Sequence, residues 1–346
     1  MKPKIFVAQP IPEAALDIMR EVAEVEVFPY FDRQIGVPDL AAGAKRSDWL
    51  FVLHETHVNA EVLAANPKLK GVAAMARDPD IDVAAATKLG IPVIIDRPIS
   101  QIGQETVHTA TADLTMGMLL GLAYRLVESD VYTRTVGFRQ EQTAALMGLG
   151  CWNKTVGLIG LGKVARHMVP RLKPFGMNVI YTKRSRLPAA EEKDFGIEWV
   201  AELDELLKRS DYVCVLCDYN TETHKLIGRR ELDLIGPDGY LINTGRGRIV
   251  DEPEMILALQ EKRIAGAALD VFWDEPPHTV DPFVPDALKK LDNVILAPHN
   301  GGATISLRTE RTSSVARDLV MAIKGEWPPA ILNPEVLAQQ GLKVPA

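Results

Sequence analysis

Three separated residues have side chains that could do chemistry together: Arg246 in Asn243-Thr244-Gly245-Arg246-Gly247, Glu275 in Asp274-Glu275-Pro276, and His299 in Pro298-His299-Asn300-Gly301. A guanidinium can grip an anionic group through paired hydrogen bonds. An imidazole can move a proton near neutral pH, and a carboxylate beside it favours the charged imidazolium. Taken singly they have bland readings: a surface salt bridge, a loop carboxylate, a strand-end histidine. They gain weight from what precedes them, the glycine turn Gly157-Leu158-Ile159-Gly160-Leu161-Gly162-Lys163-Val164-Ala165. A nucleotide turn followed by cation, carboxylate and imidazole is the set that nucleotide-linked hydride and proton transfer requires.

The segment Gly160 to Ala165 has the G-x-G-x-x-G/A form and lies between a strand-like run and a helix-like one. Gly160 permits the tight turn, Gly162 lets the backbone approach a pyrophosphate, and Ala165 keeps helix and strand close. The phosphates would then rest at a positive helix N-terminus. The following strand ends in Tyr181-Thr182-Lys183-Arg184-Ser185-Arg186, with no carboxylate until Glu191. A carboxylate there would hold the ribose 2′-hydroxyl of NAD; Lys and Arg attract a 2′-phosphate instead, Arg bidentately. The sequence therefore favours NADP(H) over NAD(H).

These residues need a scaffold, and the hydrophobic pattern supplies one. Lys4 to Ala8, Val25 to Phe28, Trp49 to Leu53, Gly71 to Met75 and Pro92 to Ile95 read as strands separated by helical stretches, the first at Glu13 to Glu21. A single long helix is expected from Gln104 to about Arg134, then a polar stretch to Gly150. A second alternating series follows: Thr155 to Ile159, Asn178 to Tyr181, Tyr212 to Leu216, Tyr240 to Asn243, Gly266 to Asp270 and Asn293 to Leu296. Such alternation implies α/β architecture, with parallel sheets covered by helices on both faces. The last helix, about Ser306 to Gly325, comes after the second series is complete and is expected to return to the first domain. The tail from Asn333 lacks periodicity and reads as poorly ordered.

At 346 residues the chain exceeds one comfortable core, so two domains are expected. A hydrophobic share of 47% and a charged share of 25% are those of a soluble globular protein, and a net charge of −7 argues against a nucleic-acid partner. Met1 to Pro10 has too short an apolar run for a signal peptide, and Leu114 to Leu126 is too short to span a bilayer. A cytoplasmic protein without a membrane partner is the expectation. Cys214-Val215-Leu216-Cys217 has the spacing of a redox or metal pair, yet it lies in the apolar run Asp211 to Cys217, which reads as a buried strand. His54-Glu55-Thr56-His57 lacks the extra residue that would put both imidazoles one helical turn apart, and it follows a strand, so a loop is expected. No metal site is read from either.

With these motifs in hand, the chain resembles the D-isomer-specific 2-hydroxyacid dehydrogenases, which include glyoxylate/hydroxypyruvate reductases and phosphoglycerate dehydrogenases. The likeness runs from the first strand through Gly325-Glu326-Trp327-Pro328-Pro329. It rests on Gly157 to Ala165, Thr221-Glu222-Thr223, Leu241 to Gly247, Ala267 to Phe272, Asp274-Glu275-Pro276 and Pro298 to Gly301. The resemblance implies that a nicotinamide dinucleotide reduces a 2-oxo acid while His299 moves the proton, Glu275 supports His299 and Arg246 binds substrate. It implies a cofactor set of Gly160, Leu161, Gly162, Lys163, Val164, Thr182, Lys183, Arg184, Ser185, Thr244, Gly245, Asp270 and Gly301. For Asp270, support of the imidazole and a purely structural turn role both remain open. Substrate contacts are expected from His54, Met75, Ala76 and Arg77.

The chain also departs from the family pattern. The usual Gly-x-Gly turn of the substrate loop is replaced by Met75-Ala76-Arg77-Asp78-Pro79-Asp80-Ile81-Asp82. Arg77 either contacts substrate or pairs with Asp78. The Asp96 to His108 loop is longer than usual, and Asp113 stands where glutamate is customary. Glu275 disfavours the formate-oxidising branch.

The expected architecture is two Rossmann-like, doubly wound parallel-sheet domains with the active site in the cleft between them. A discontinuous substrate domain takes 1–103 and 300–346, and the cofactor domain takes 104–299. A homodimer through the apolar face Leu114, Met118, Leu119 and Leu122 is expected. Two rival readings stay open: the same fold acting on phosphite or a phosphonate-type acid, and a non-enzymatic dinucleotide sensor resembling the family's corepressors.

Overall fold

The computed structural model describes residues 2–54, 56–97, 106–138, 146–273 and 284–339, which divide into two compact units. The first unit holds the described residues up to Thr106 and from Ala303 onward; the second holds those from Val107 to Gly302.

The first unit begins β1 (Lys4–Val7), α1 (Glu13–Arg20), β2 (Glu24–Val27), α2 (Val37–Lys45), β3 (Trp49–Leu53), α3 (Ala60–Ala64), β4 (Gly71–Met75), α4 (Val83–Lys88) and β5 (Val93–Ile95). The strands pair in parallel in the order β2-β1-β3-β4-β5. Every residue of β3 and β4 is buried, which accounts for their continuous apolar runs.

The second unit comprises α5 (Val107–Ala123), α6 (Leu126–Thr135), β6 (Thr155–Ile159), α7 (Lys163–Leu172), β7 (Asn178–Thr182), α8 (Ala189–Phe195), β8 (Glu198–Trp199) and α9 (Leu203–Arg209). It continues through β9 (Tyr212–Val215), α10 (Arg229–Ile235), β10 (Tyr240–Asn243), α11 (Glu252–Gln260), β11 (Gly266–Leu269), α12 (Asp286–Lys289) and β12 (Val294–Leu296). All strand pairs are parallel, in the order β12-β11-β10-β9-β6-β7-β8. The direction of winding reverses between β6 and β9, and in open sheets of this kind ligands bind at the carboxyl ends beside the reversal. Met118, Leu119, Ala165 and Met168 fill one face of the sheet; Leu206, Leu232 and Met255 fill the other.

The chain then returns to the first unit as α13 (Ile305–Ile323) and α14 (Pro334–Gln339). Val315, Ala316 and Leu319 of α13 share a core with Ile5, Val7 and Ala15. No helix among the described residues is long and apolar enough to cross a membrane.

Several sequence expectations need correction. The long helix is two helices: Arg125 takes a left-handed conformation (φ 48°) between α5 and α6, and its guanidinium is held by Glu128. Residues 104 and 105, the expected start, lie outside the described residues, and Thr106 is not helical. Met118, Leu119 and Leu122 are buried in the second unit's own core and Leu114 packs against it, so that face is already covered within the chain. A seventh strand, β8, was not read because two residues carry no pattern. Within the described residues the tail from Asn333 is structured and includes α14. Asn333, 1% exposed, accepts from Val93 N at 2.8 Å and donates to Ile91 O at 2.9 Å and Thr87 Oγ1 at 3.0 Å. Val336 and Leu337 are buried behind it; one turn of helix is too short to show periodicity in sequence.

Candidate active site

The glycine turn joins β6 to α7. Gly160 has φ +90°, a region glycine enters readily, and a Cβ there would lie 2.7 Å from Cys217 Cα. Its amide donates to Thr182 O at 2.9 Å, tying the turn to the end of β7. Gly162 differs: a Cβ built on it meets no protein atom within 4 Å. The protein's own packing does not demand glycine there, whereas close approach of a ligand would. Gly162 caps α7 without a side-chain acceptor, so the first amides of the helix present donors and a positive dipole end. The residues present thus fit a dinucleotide diphosphate. Leu161 is 3% exposed and belongs to the core, so its contribution is through the backbone. Ala165 is fully buried against the sheet.

Beyond β7, the basic run divides its duties. Arg186 donates to both oxygens of Glu192 at 2.9 and 2.7 Å, while Tyr181 Oη donates to Glu192 at 2.7 Å. Arg186 first, and then Tyr181, hold the Glu192 carboxyl down to about 2. Arg186 is therefore a local brace. Ser185 is exposed, Thr182 and Lys183 are half-buried, and Arg184 is exposed with one long ion pair, 3.5 Å to Glu222. Glu222 arrives from the β9–α10 connection, far away in sequence, and could not be read as a neighbour of Arg184.

At the carboxyl ends of β10, β11 and β12, one hydrogen-bonded frame carries Arg246 and His299. Asn243 ends β10; its side chain accepts from Gly245 N and donates to Arg246 O, both at 3.1 Å. The Asn243 carbonyl accepts from Asp270 N at 3.0 Å, and the Asp270 carbonyl accepts from His299 N at 3.0 Å. The buried Asp270 carboxylate accepts from Asn300 N at 2.6 Å and Gly301 N at 2.9 Å. His299 itself has φ 53°, an uncommon conformation for a residue with a side chain and one that the frame imposes. Both Arg246 and His299 are exposed at the ligand edge of the sheet. Thr244 is 7% exposed and shares a 2.8 Å hydrogen bond with Thr115 of α5. Asn243 and Thr115 are thus positioning residues not assigned from sequence; the signal available for Asn243 was an Asn at a strand end, a turn former.

Glu275 lies outside the described residues, as do Glu55 and the stretch Ile99 to Gln104. Trp273, the last described residue before Glu275, donates from Nε1 to Val250 O at 2.8 Å and from its amide to Glu252 at 3.2 Å. Lys225 stacks over the same ring, 4.7 Å from its centroid.

In the first unit, Met75 and Ala76 are each 1% exposed, so their side chains belong to the core and only their backbone can meet a ligand. Arg77 is exposed, as is His54 in the turn after β3. Among the described residues Arg77 forms no ion pair with Asp78; its charge acts instead on Asp96 at the end of β5. Burial pushes the Asp96 carboxyl up, opposed chiefly by Arg311, whose Nε donates to it at 2.6 Å. Thr56 and His57 lie in a loop as expected, with His57 Nδ1 donating to Asp80 at 2.6 Å. Cys214 is fully buried in β9, and burial pushes its thiol up to about 12 and that of Cys217 to about 11, which suppresses thiolate chemistry.

The frame yields a stability prediction. Asp270→Ala leaves the amides of Asn300 and the buried Gly301 without their acceptors and should cost about 2 kcal/mol, read as a lower Tm together with reduced turnover. An unchanged Tm would show that the Asn300–Gly301 turn holds itself.

Comparison with known proteins bears on the family and the fold. The model of the NAD binding domain of D-isomer specific 2-hydroxyacid dehydrogenases matches residues 116–301. A glyoxylate reductase from Thermococcus gammatolerans is 39% identical over 345 residues, covering 97% of this chain and 98% of that protein. Among solved structures, the TT0316 protein from Thermus thermophilus superposes with a TM-score of 0.75 at 30% identity, covering 95% of this chain and 99% of that one. An NADPH-dependent glyoxylate/hydroxypyruvate reductase from Sinorhizobium meliloti, in complex with NADP and malonate, superposes with a TM-score of 0.68 at 26% identity over 100% of both chains.

Proposed function

Because the chain belongs to the D-isomer specific 2-hydroxyacid dehydrogenase family, oxidoreductases that work with a nicotinamide dinucleotide, we propose that it reduces small 2-oxo acids of the glyoxylate and hydroxypyruvate type with NADPH. The observation that carries this reading is the single frame Asn243–Asp270–His299, which ties Arg246, beyond β10, to His299, beyond β12, through the end of the intervening β11. The dinucleotide, when bound, supplies the hydride. Arg246 grips the substrate carboxylate and draws charge onto the carbonyl oxygen. His299 donates the proton to that oxygen, and Glu275 favours its imidazolium form. From the first unit, substrate contacts fall to the exposed Arg77 and His54 and to the backbone of Met75 and Ala76. The substrate class is supported by the names of the relatives, glyoxylate reductase in Thermococcus and glyoxylate/hydroxypyruvate reductase in Sinorhizobium.

A panel of glyoxylate, hydroxypyruvate, pyruvate and bulkier 2-oxo acids, followed by NADPH consumption, tests the proposal. Glyoxylate and hydroxypyruvate should be turned over best, with D-glycerate the product from the latter. Intact cofactor binding without turnover of any member would favour a sensor, and NADP reduction by phosphite would favour the unusual donor.

Preference for NADPH is assigned to Lys183 and Arg184, with Thr182 and Ser185 lining the same strand end. Arg184→Ala should raise the Kd of NADPH about tenfold while changing that of NADH little. Equal loss for both cofactors would place Arg184 away from the 2′-phosphate. The proposed homodimer moves from α5 to α6, none of whose residues is buried and whose Leu126, Val127 and Val131 are 54%, 49% and 54% exposed. Sedimentation at micromolar concentration should give twice the chain mass; a monomer would exclude it.

A further inference from the structure

We propose that His108, in the first turn of α5, is a second cationic hold on the cofactor diphosphate and takes up a proton when the dinucleotide binds. The inference rests on the assignment of the glycine turn as the diphosphate site. The early turns of α5 lie at the ligand edge of the second unit: Thr115 reaches Thr244, and a Cβ on Gly301 would lie 2.8 Å from Thr111 Oγ1. The same helix packs along α7, to which it is pinned by the Asp113–Arg171 ion pair. His108 precedes Asp113 on α5, as His167 and Lys163 precede Arg171 on α7, so the three basic side chains gather where the two helices begin. Their charges act on one another across that short space.

Among the described residues, the carboxylates of this region are already engaged. Asp113 holds Arg171, Glu191 holds Arg166, and Asp270 accepts from the amides of Asn300 and Gly301. Among the described residues, His299, Arg166 and Arg171 are the other charged or titratable groups on or beside the elements that pack against this end of α5. Among the described residues His108 has no hydrogen-bond partner. Lys163 beside an uncapped helix start disfavours a further positive charge on His108 unless an anion joins them. Burial first, then Lys163 and His167, push the His108 imidazole below its ordinary value, so in the free protein it is neutral at pH 7. A diphosphate seated at Gly162 and Lys163 reverses the sign of the local field and raises that value. Affinity is then greatest below the free-protein pKa and declines as pH rises through the bound-state pKa.

Calorimetric titration of the full chain with NADH tests this, since NADH carries the diphosphate but no titrating 2′-phosphate. The Kd should rise about tenfold between roughly pH 6 and pH 8.5, one unit of pKa difference corresponding to tenfold in affinity. At pH 7 the binding heat should vary with buffer ionisation enthalpy in the sense of proton uptake. His108→Gln should flatten the pH dependence, whereas Lys163→Ala should weaken binding at every pH and retain a reduced slope, because burial and His167 still depress His108. The buffer experiment on the unmodified chain stands even if His108→Gln folds poorly. No proton uptake, or an undiminished slope in His108→Gln, overturns the proposal. Failure of the unmodified chain to bind either NADH or NADPH at any pH would instead overturn the cofactor site, and His108's role with it.

Discussion

His299→Ala should lower kcat for 2-oxo acid reduction by at least about 10²-fold while leaving the Kd of NADPH within about twofold. The reason is geometric before it is electrostatic. His299 N donates to the Asp270 carbonyl, and the following two amides donate to the Asp270 carboxylate, so the imidazole is presented from a backbone that cannot drift. The φ of 53° at His299 is maintained by those bonds. Alanine at this position retains the backbone donor and carbonyl groups of the frame and removes the imidazole. With the imidazolium as donor, reduction slows as rising pH deprotonates it; in the variant that limb of the pH profile should vanish. Rapid-mixing measurement of NADPH oxidation across pH gives both readouts. A kcat unchanged from the unmodified protein would remove His299 from the reaction.

Arg246→Lys should raise KM for the 2-oxo acid at least about tenfold and lower kcat about 10²-fold, although the charge is kept. Arg246 Nη1 donates to Gly245 O at 2.7 Å, and Asn243 holds the Arg246 carbonyl, so the guanidinium plane is set by its own loop. Gly247 lets that loop lie against the Phe272 carbonyl, which any Cβ there would strike. A lysine offers a point charge without the planar fork that matches a carboxylate. Steady-state kinetics with glyoxylate at saturating NADPH separates the effects. A rise in KM with kcat intact would mean that Arg246 binds the carboxylate but does not stabilise charge as it develops.

What was legible in the sequence was local or periodic. The glycine turn could be read because its demands on backbone conformation fall within six consecutive residues, and Gly160 does adopt a positive φ. Most strands of the two sheets could be read because burial on both faces leaves unbroken apolar runs, as in Trp49 to Leu53, whereas the two-residue β8 could not. Arg246 and His299 could be placed at strand ends for the same reason. What escaped was pairing across long separations. Glu222 reaches Arg184, Thr115 reaches Thr244, and Asn333 reaches Val93, none of which any local pattern encodes. The helix break at Arg125 was hidden because a left-handed arginine has no composition signal, and its brace by Glu128 looks like an ordinary i,i+3 helix pair. The proposed dimer face was misjudged because apolar periodicity does not tell a helix's own sheet from a partner; Leu119 and Leu122 are core. His108 escaped because its significance comes from Lys163 and His167, which follow it by more than fifty residues and meet it only through helix packing.

Crystallisation of the full chain with NADP and oxamate, an unreactive mimic of a 2-oxo acid, tests the central claim most directly. The account predicts the Arg246 guanidinium on the oxamate carboxylate and a His299 ring nitrogen within hydrogen-bond reach of its carbonyl oxygen. Oxamate bound elsewhere on the chain, or those two side chains turned to solvent in the liganded crystal, would contradict it.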